Sequence, residues 1–574
     1  MKNTIRLLGM ILLALSLAGC PDYSNNGRSL QSEAGYLEVE PISFSLQKQG
    51  SEPYALTSST ARVFYSFFPA AQNPVGKPLF VFLNGGPGCA TTTNLFSMNT
   101  APYTLDRERT KGARYATNPN SWDELGNLLY IDAPNTGFSY NVVPGASSFD
   151  VRLLEFNAQN FNPFIDSANV IRVLLRFLEA HPQIRANQVV LVGESYSGTR
   201  VSTMLNLLLF YPGYASGDKV YKDAALAAEV QRHFDRVYPA DAVNGIYAPA
   251  TVARQFGRQI LIQPEISGPY QAAADGDLFE APGSVIDTIA AATGTTYSRC
   301  DPSDTACNKE TNALVFAEEV AGRDRYIYRK PVGWTDELEA YAMLGLLDAS
   351  VLSAVLEDDV RTIALMRPAA RTNGYRYLID QFGVNYLDPG VLPPRQAQTL
   401  RLLKASRARV NAALAGAPGG SLHEVLGMLP AYDDYLSGTN FLVWFAFMLN
   451  NATIRGYPVS PDSSPLYGQM FLENIALVKT FLTDSEFDLV IYSPGYPVAL
   501  SMYTSIVKAV DVKRGKELDG KTGSFRVTYQ PNSLNGVPTP AYVDIFYPYY
   551  ATAGHAIAAE QPEKILTDVT RWMQ

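Results

Sequence analysis

The order of apolar and polar positions predicts strands at the start of the chain. Tyr36 to Leu46 and Val63 to Phe68 alternate between the two kinds of residue and are followed by turn formers, as half-buried strands entering a sheet do. Three short apolar runs come next, Leu79 to Leu83, Leu128 to Ile131 and Val189 to Val192, each stopped by glycine, proline or a polar residue. Such runs suit strands of a parallel sheet, whose two faces are both covered and need no polar side. Between the second and third runs, Ala168, Ile171, Leu175 and Leu178 share one helix face. Strand, helix, strand is a right-handed crossover unit.

A second helix is predicted after the turn around Ser195, running to about Phe210, and a further strand at Gln259 to Ile262, ending at Pro264. From 267 to 438 helical spacing dominates, as in Val351 to Leu365 and Gln396 to Leu414. The sheet pattern returns at Asp488 to Tyr492 and Tyr542 to Phe546, and a helix over Pro562 to Met573 closes the chain. The expected architecture is therefore α/β: a mostly parallel central sheet built from residues 35–266 and 439–574, interrupted by a large, mainly helical cap at 267–438.

Composition adds limits. With 574 residues, 47% hydrophobic and 18% charged, the chain can bury a large core. A net charge of -9 without a basic tract argues against nucleic acid as a partner. Lys2 and Arg6 precede an apolar run, Leu7 to Leu17, which is too short to cross a bilayer and reads as an export leader over 1–19. Leu17-Ala18-Gly19-Cys20 resembles a bacterial lipoprotein processing site, which implies cleavage before Cys20, a lipid on its sulfur and a polar tether over 20–34. An ordinary cleaved leader is the alternative. The lipid would anchor an exported protein to the cell envelope. Cys300 and Cys307 share a polar loop and could close a local disulfide in an oxidising compartment. No Cys-x-x-Cys pair occurs and the four histidines are scattered, so neither a metal nor a cofactor is implied.

The chemistry converges on Ser195. Val189 to Gly193 is an apolar strand, Glu194-Ser195-Tyr196 a sharp turn, and a helix follows. That setting lifts a serine hydroxyl out of a sheet and aims it at helix N–H groups able to hold an oxyanion. Leu83-Asn84-Gly85-Gly86-Pro87-Gly88-Cys89 leaves the first apolar run, and its paired glycines let backbone amides approach a developing charge. His555, in Ala553-Gly554-His555, follows the last strand and is the histidine positioned for base work. His181 at a helix end, His233 in a charged helical stretch and His423 in the cap read as surface residues.

These blocks resemble the serine carboxypeptidases. LNGGPGC at Leu83, NPNSW at Asn118 with NLLYIDAPNTGFSY at Asn127, GESYSG at Gly193 and AGHAIAAEQPEKIL at Ala553 carry the resemblance. It implies an α/β-hydrolase fold with a helical insertion, Ser195 as nucleophile, His555 as general base and the amides of Gly86 and Tyr196 as oxyanion hole. It also implies that Asn84 and Glu194 hold a substrate's terminal carboxylate. Relatives commonly use the cysteine at the Cys89 position in a disulfide, and no partner for it is evident.

Two departures stand out. The family's triad aspartate falls here on Pro497 or Val498, neither of which can orient an imidazole. Asp544 or Asp488 is the candidate replacement acid. A second family glutamate, which shares a proton with the one before the serine, is absent from Phe96 to Pro102. The leading expectation is a hydrolase removing C-terminal residues from peptides through an acyl-enzyme on Ser195. An esterase or acyltransferase using the same serine remains open, as does a catalytically weakened surface protein that binds peptides or a partner.

Overall fold

The computed structural model describes residues 30–46, 54–85, 88–92, 99–105, 115–134, 136–142, 163–219, 221–242, 245–264, 266, 298–299, 313–315, 327–329, 412, 466–485, 510–514, 524–529, 533–534, 537–550, 553 and 556–574. An eleven-stranded sheet organises them. In chain order its main strands are β1 (Glu33–Val39), β2 (Ala61–Phe68), β3 (Leu79–Leu83), β4 (Asn127–Ile131), β5 (Val189–Glu194), β6 (Arg258–Ile262), β7 (Lys479–Leu482), β8 (Val510–Arg514), β9 (Ser524–Tyr529) and β10 (Tyr542–Phe546). Tyr140–Asn141 pairs with β2 as the remaining strand.

Across the sheet the order is β1-β2-β4-β3-β5-β6-β7-β10-β9-β8. β1 and β2 enter antiparallel, and β2 meets β4 antiparallel. From β4 through β3, β5, β6 and β7 to β10 every pairing is parallel. The far edge turns antiparallel again. This parallel centre with helices on both faces is the α/β-hydrolase architecture. Because the central strands run the same way, their C-terminal ends share one edge, where loops can assemble a site.

The continuous apolar runs are explained by two cores. Leu79, Val81, Leu83, Val189 and Leu191 face one cluster, which includes α1 (Pro163–Ala180) and α2 (Ser197–Leu209). Phe80, Phe82, Val190 and Val192 face the other. That second cluster holds Ile565, Val569 and Trp572 of the closing helix α6 (Pro562–Met573). Between them come α3 (Ala224–Val237), α4 (Pro249–Phe256) and α5 (Leu466–Ile475). α5 joins the two halves of the chain across the insertion. Asn206 Nδ2 on α2 donates to Glu473 Oε2 at 2.8 Å, and Asn474 Nδ2 donates to the Ser202 carbonyl at 2.7 Å.

Three expectations need revision or remain outside the described residues. The sheet resumes at β7, before the expected Asp488 to Tyr492, which lies outside them. β7 escapes a periodicity reading because it is short and begins Lys479-Thr480, yet Thr480 is buried and accepts a hydrogen bond from Gln259 Nε2 at 2.9 Å. Within 267–438 the described residues include a small antiparallel sheet of Ser298–Arg299, Ile327–Arg329 and Ala313–Val315, a stretch apart from the two helices expected there. Apart from residue 412, the remainder of that region, with Cys300, Cys307, His423 and Val351 to Leu365, lies outside the described residues, as do residues 1–29 with Cys20.

His233 is not a surface residue. It is 1% exposed, because position 233 falls on the buried face of α3 with Leu226, Glu229, Val230 and Phe234, while Arg232 and Arg236 reach solvent. Its Nε2 lies 3.0 Å from Gln255 Oε1, so the neutral ring donates there. The Glu179 carboxylate stands 3.4 Å from Nδ1, but Arg236 engages that carboxylate and burial prevails, pushing the His233 pKa down to about 4. Between about pH 6.5 and about pH 4 the unfolded chain therefore binds a proton here that the folded chain refuses, and stability falls as pH falls. Urea unfolding at pH 7 and pH 4.5 should show a loss of up to about 3 kcal/mol from this residue. That part of the loss should be absent in His233→Gln.

Candidate active site

Ser195 sits at the crossing between β5 and α2, with φ of 57°. A left-handed serine costs roughly 1–3 kcal/mol, which the flanking contacts must offset. They are dense. The Ser195 N–H donates to the Ile262 carbonyl of β6 at 3.0 Å, and the Ser195 carbonyl accepts from Gly198 N–H at 2.8 Å. A side chain at Gly193 would come within 2.5 Å of the Ser197 carbonyl, so the turn closes only with glycine there. Ser195 itself is half-buried, whereas Glu194 and Tyr196 on either side are buried. The turn thus presents one hydroxyl and hides its neighbours.

The glycine-rich loop leaves β3 directly against this turn. A Cβ at Gly85 would stand 2.6 Å from Ser195 Cβ, 2.7 Å from the Glu194 carbonyl and 2.9 Å from Tyr196 N. Only a glycine permits that approach. The Asn84 side chain, expected toward a substrate carboxylate, is buried and bonded inside its own loop. Its Oδ1 accepts from Gly85 N–H at 2.7 Å and its Nδ2 reaches the Ala90 carbonyl at 3.4 Å. Gly86 lies outside the described residues, and Cys89 N–H donates to the Gly85 carbonyl at 3.2 Å.

Two buried acids brace the loop. Asp132, at the end of β4, accepts from Thr92 N–H at 2.8 Å and from Phe138 N–H at 3.0 Å, and bonds the Thr92 hydroxyl. Burial raises its pKa, opposed by those hydrogen bonds. Asp166 on α1 pairs with Arg200 on α2 at 2.5 Å. Burial raises the Asp166 pKa too, against the pull of Arg200. Arg200 Nη1 reaches the Asn84 carbonyl and Ser197 Oγ, each at 2.6 Å. Sequence reasoning missed this pair. The available signal was a lone charge, Arg200, in a helix with no other charged residue.

The segment that lacks the second glutamate is held from the NPNSW block. Asn118 Nδ2 donates to the carbonyls of Asn99 and Ala101 at 2.8 Å each, and Trp122 N–H donates to the Thr100 carbonyl at 2.8 Å. Phe96 to Met98 lie outside the described residues.

Of the acid candidates, Asp544 is exposed, at the ladder position in register with residue 526 of β9, while Asp488 lies outside the described residues. Pro497, Val498 and His555 do too. Asp484 was not anticipated. It follows β7 by two positions, at the same sheet edge as Ser195, and Asp484–Ser485 pairs in parallel with Tyr549–Tyr550. Ala553, just before Gly554-His555, is buried, and its N–H donates to the Tyr550 carbonyl at 3.1 Å.

The turn at Ser195 and the sheet order define the α/β-hydrolase fold. The family model described as serine carboxypeptidase matches residues 28–213. That span contains every block quoted above except the one at Ala553, and over it the chain is similar to the serine carboxypeptidases. It is 28% identical over 206 residues to serine carboxypeptidase-like 41 of Arabidopsis thaliana, covering 36% of this chain and 40% of that protein. It is 32% identical over 194 residues to serine carboxypeptidase S10 family member 1 of Dictyostelium discoideum, covering 33% and 38%. The chain thus spans two fifths or less of those relatives' lengths. A solved prohormone-processing carboxypeptidase from Saccharomyces cerevisiae aligns over 95% of this chain and 91% of its own, at 12% identity and a TM-score of 0.40.

The contact at Gly85 gives a direct expectation. In Gly85→Ala the added methyl must displace the turn or the loop, and the rate of Ser195 modification by a fluorophosphonate should fall about 10²-fold. Competition labelling with wild type in one tube measures this, and equal rates would refute the close approach.

Proposed function

We propose that this chain is a serine carboxypeptidase-like hydrolase that releases C-terminal residues from peptides. The observation that carries the reading is Ser195 at positive φ, half-exposed, with Gly85 packed on its Cβ and the Tyr196 amide alongside. Ser195 Oγ attacks the scissile carbonyl carbon while His555 takes its proton, and the carbonyl oxygen gains the charge. The backbone amides of Tyr196 and Gly86 hold that oxyanion. Collapse of the intermediate breaks the C–N bond, with the proton passing from His555 to the leaving amine. Water, deprotonated by His555, then cleaves the acyl-enzyme. Glu194 and Asn84 belong to the carboxylate-binding side of the site, Asn84 through the loop it shapes.

We assign the acid that orients His555 to Asp484. Support comes from its backbone place after β7 and from its ladder with the strand that leads to Ala553. Such an acid sets the tautomer of the imidazole and stabilises its protonated form. The exposure of Asp544 argues against it.

The test is fluorophosphonate labelling combined with hydrolysis of a blocked dipeptide and its matching ester. Wild type should label and cleave both, and Ser195→Ala neither. Cleavage of the ester alone would replace the peptidase reading by an esterase, and no labelling of folded protein would favour a binding protein. Asp484→Asn should lower turnover by about 10²–10⁴-fold while Asp544→Asn leaves it unchanged. The opposite pattern would move the acid to Asp544.

We also propose export and lipid anchoring to the bacterial cell envelope through Cys20, with the leader over 1–19 removed. Lys2, Arg6, the run Leu7 to Leu17 and Leu17-Ala18-Gly19-Cys20 support it. A radiolabelled fatty acid should enter the wild-type chain in growing cells and not Cys20→Ala. Equal incorporation would dismiss the anchor.

A further inference from the structure

α2 carries one charged residue, Arg200, and its side chain is 1% exposed. Its partner Asp166, on α1, is 4% exposed. A buried ion pair contributes little net stability, since desolvating two charges offsets most of their attraction, and apolar residues of similar volume often serve as well. The contacts of this pair show a different use. Arg200 Nε donates to Asp166 Oδ2 at 2.5 Å, which fixes the plane of the guanidinium. With the plane fixed, Nη1 donates to the Asn84 carbonyl and to Ser197 Oγ, each at 2.6 Å. Ser197 Oγ donates to the same Asn84 carbonyl at 2.6 Å. The guanidinium carbon also lies 5.2 Å from the Tyr196 ring centre.

These contacts meet at the peptide between Asn84 and Gly85, the unit that has to rest on Ser195 Cβ. They also meet at Tyr196 and Ser197, the first residues beyond the nucleophile. Resting on the hydrolase reading above, we propose that Arg200 is a positioning residue. Held in its plane by Asp166, it ties the glycine-rich loop to the nucleophile turn and so sets the distance between Ser195 Oγ and the amides that receive the oxyanion. It touches no substrate. Its effect falls on the transition state, which develops the charge those amides hold, and not on ground-state binding.

The test separates positioning from stability. In Asp166→Leu/Arg200→Met neither charge is left without its partner, so the fold should persist by circular dichroism and thermal melting. Ester hydrolysis should show kcat lowered about 10²-fold with KM within about threefold of wild type. Arg200→Lys, which supplies the charge without the planar fork, should give an intermediate kcat. A folded double variant with kcat within about twofold of wild type, or with a rise in KM alone, would overturn the inference. If the double variant does not fold, Arg200→Lys decides, since an unchanged kcat there also overturns it. Wild-type protein that neither labels nor hydrolyses would instead remove the hydrolase reading, and this inference with it.

Discussion

Two strand ends have to approach more closely here than side chains allow. β3 and β5 are neighbours in the sheet, and the chain leaving each one turns over the same edge. At that edge the space between Gly85 and Ser195 does not admit a methyl group. The sharp turn, the left-handed serine and the loop beside it all follow from this. Left-handed backbone at a non-glycine residue persists only where its surroundings over-determine it. At Ser195 they do so through β6 on one side and the first turn of α2 on the other.

The rest of the molecule holds that edge still. Parallel strands buried on both faces give a rigid floor, and the two apolar clusters fix the helices against it. Polar groups then bind the loops to the floor: Asp132 on one side of the glycine-rich loop, Arg200 with Asp166 beneath it, and Asn118 along the neighbouring segment. Each is buried, and each has hydrogen-bonding partners. Buried polar groups satisfied in this way restrict a site to one arrangement, at the cost of their desolvation.

The central strands and the nucleophile turn were legible in the sequence because their signals are local. Leu79 to Leu83 reads as a doubly covered strand without knowledge of its neighbours, and the closing helix over Pro562 to Met573 was visible from its apolar spacing. What escaped depends on pairs distant in the chain. Nothing in sequence spacing says that Asp166 and Arg200 face each other, or that Thr480 finds Gln259. His233 misled for a related reason: Arg232 and Arg236 beside it in sequence reach solvent, while Glu229 is buried on the same face of α3 and paired with Arg172 of α1. Asp484 was overlooked because β7 itself was.

The central claim is that a charge developing beside Ser195 meets backbone amides already in place. Its most direct measurement is a crystal structure of the covalent adduct between Ser195 and a small phosphonate, which mimics the tetrahedral intermediate. The account predicts one phosphonyl oxygen within about 2.7–3.1 Å of Tyr196 N, turned toward the glycine-rich loop, with the loop backbone unmoved. An adduct whose oxygens all face solvent, or a loop that has swung away from the turn to admit it, would contradict that claim.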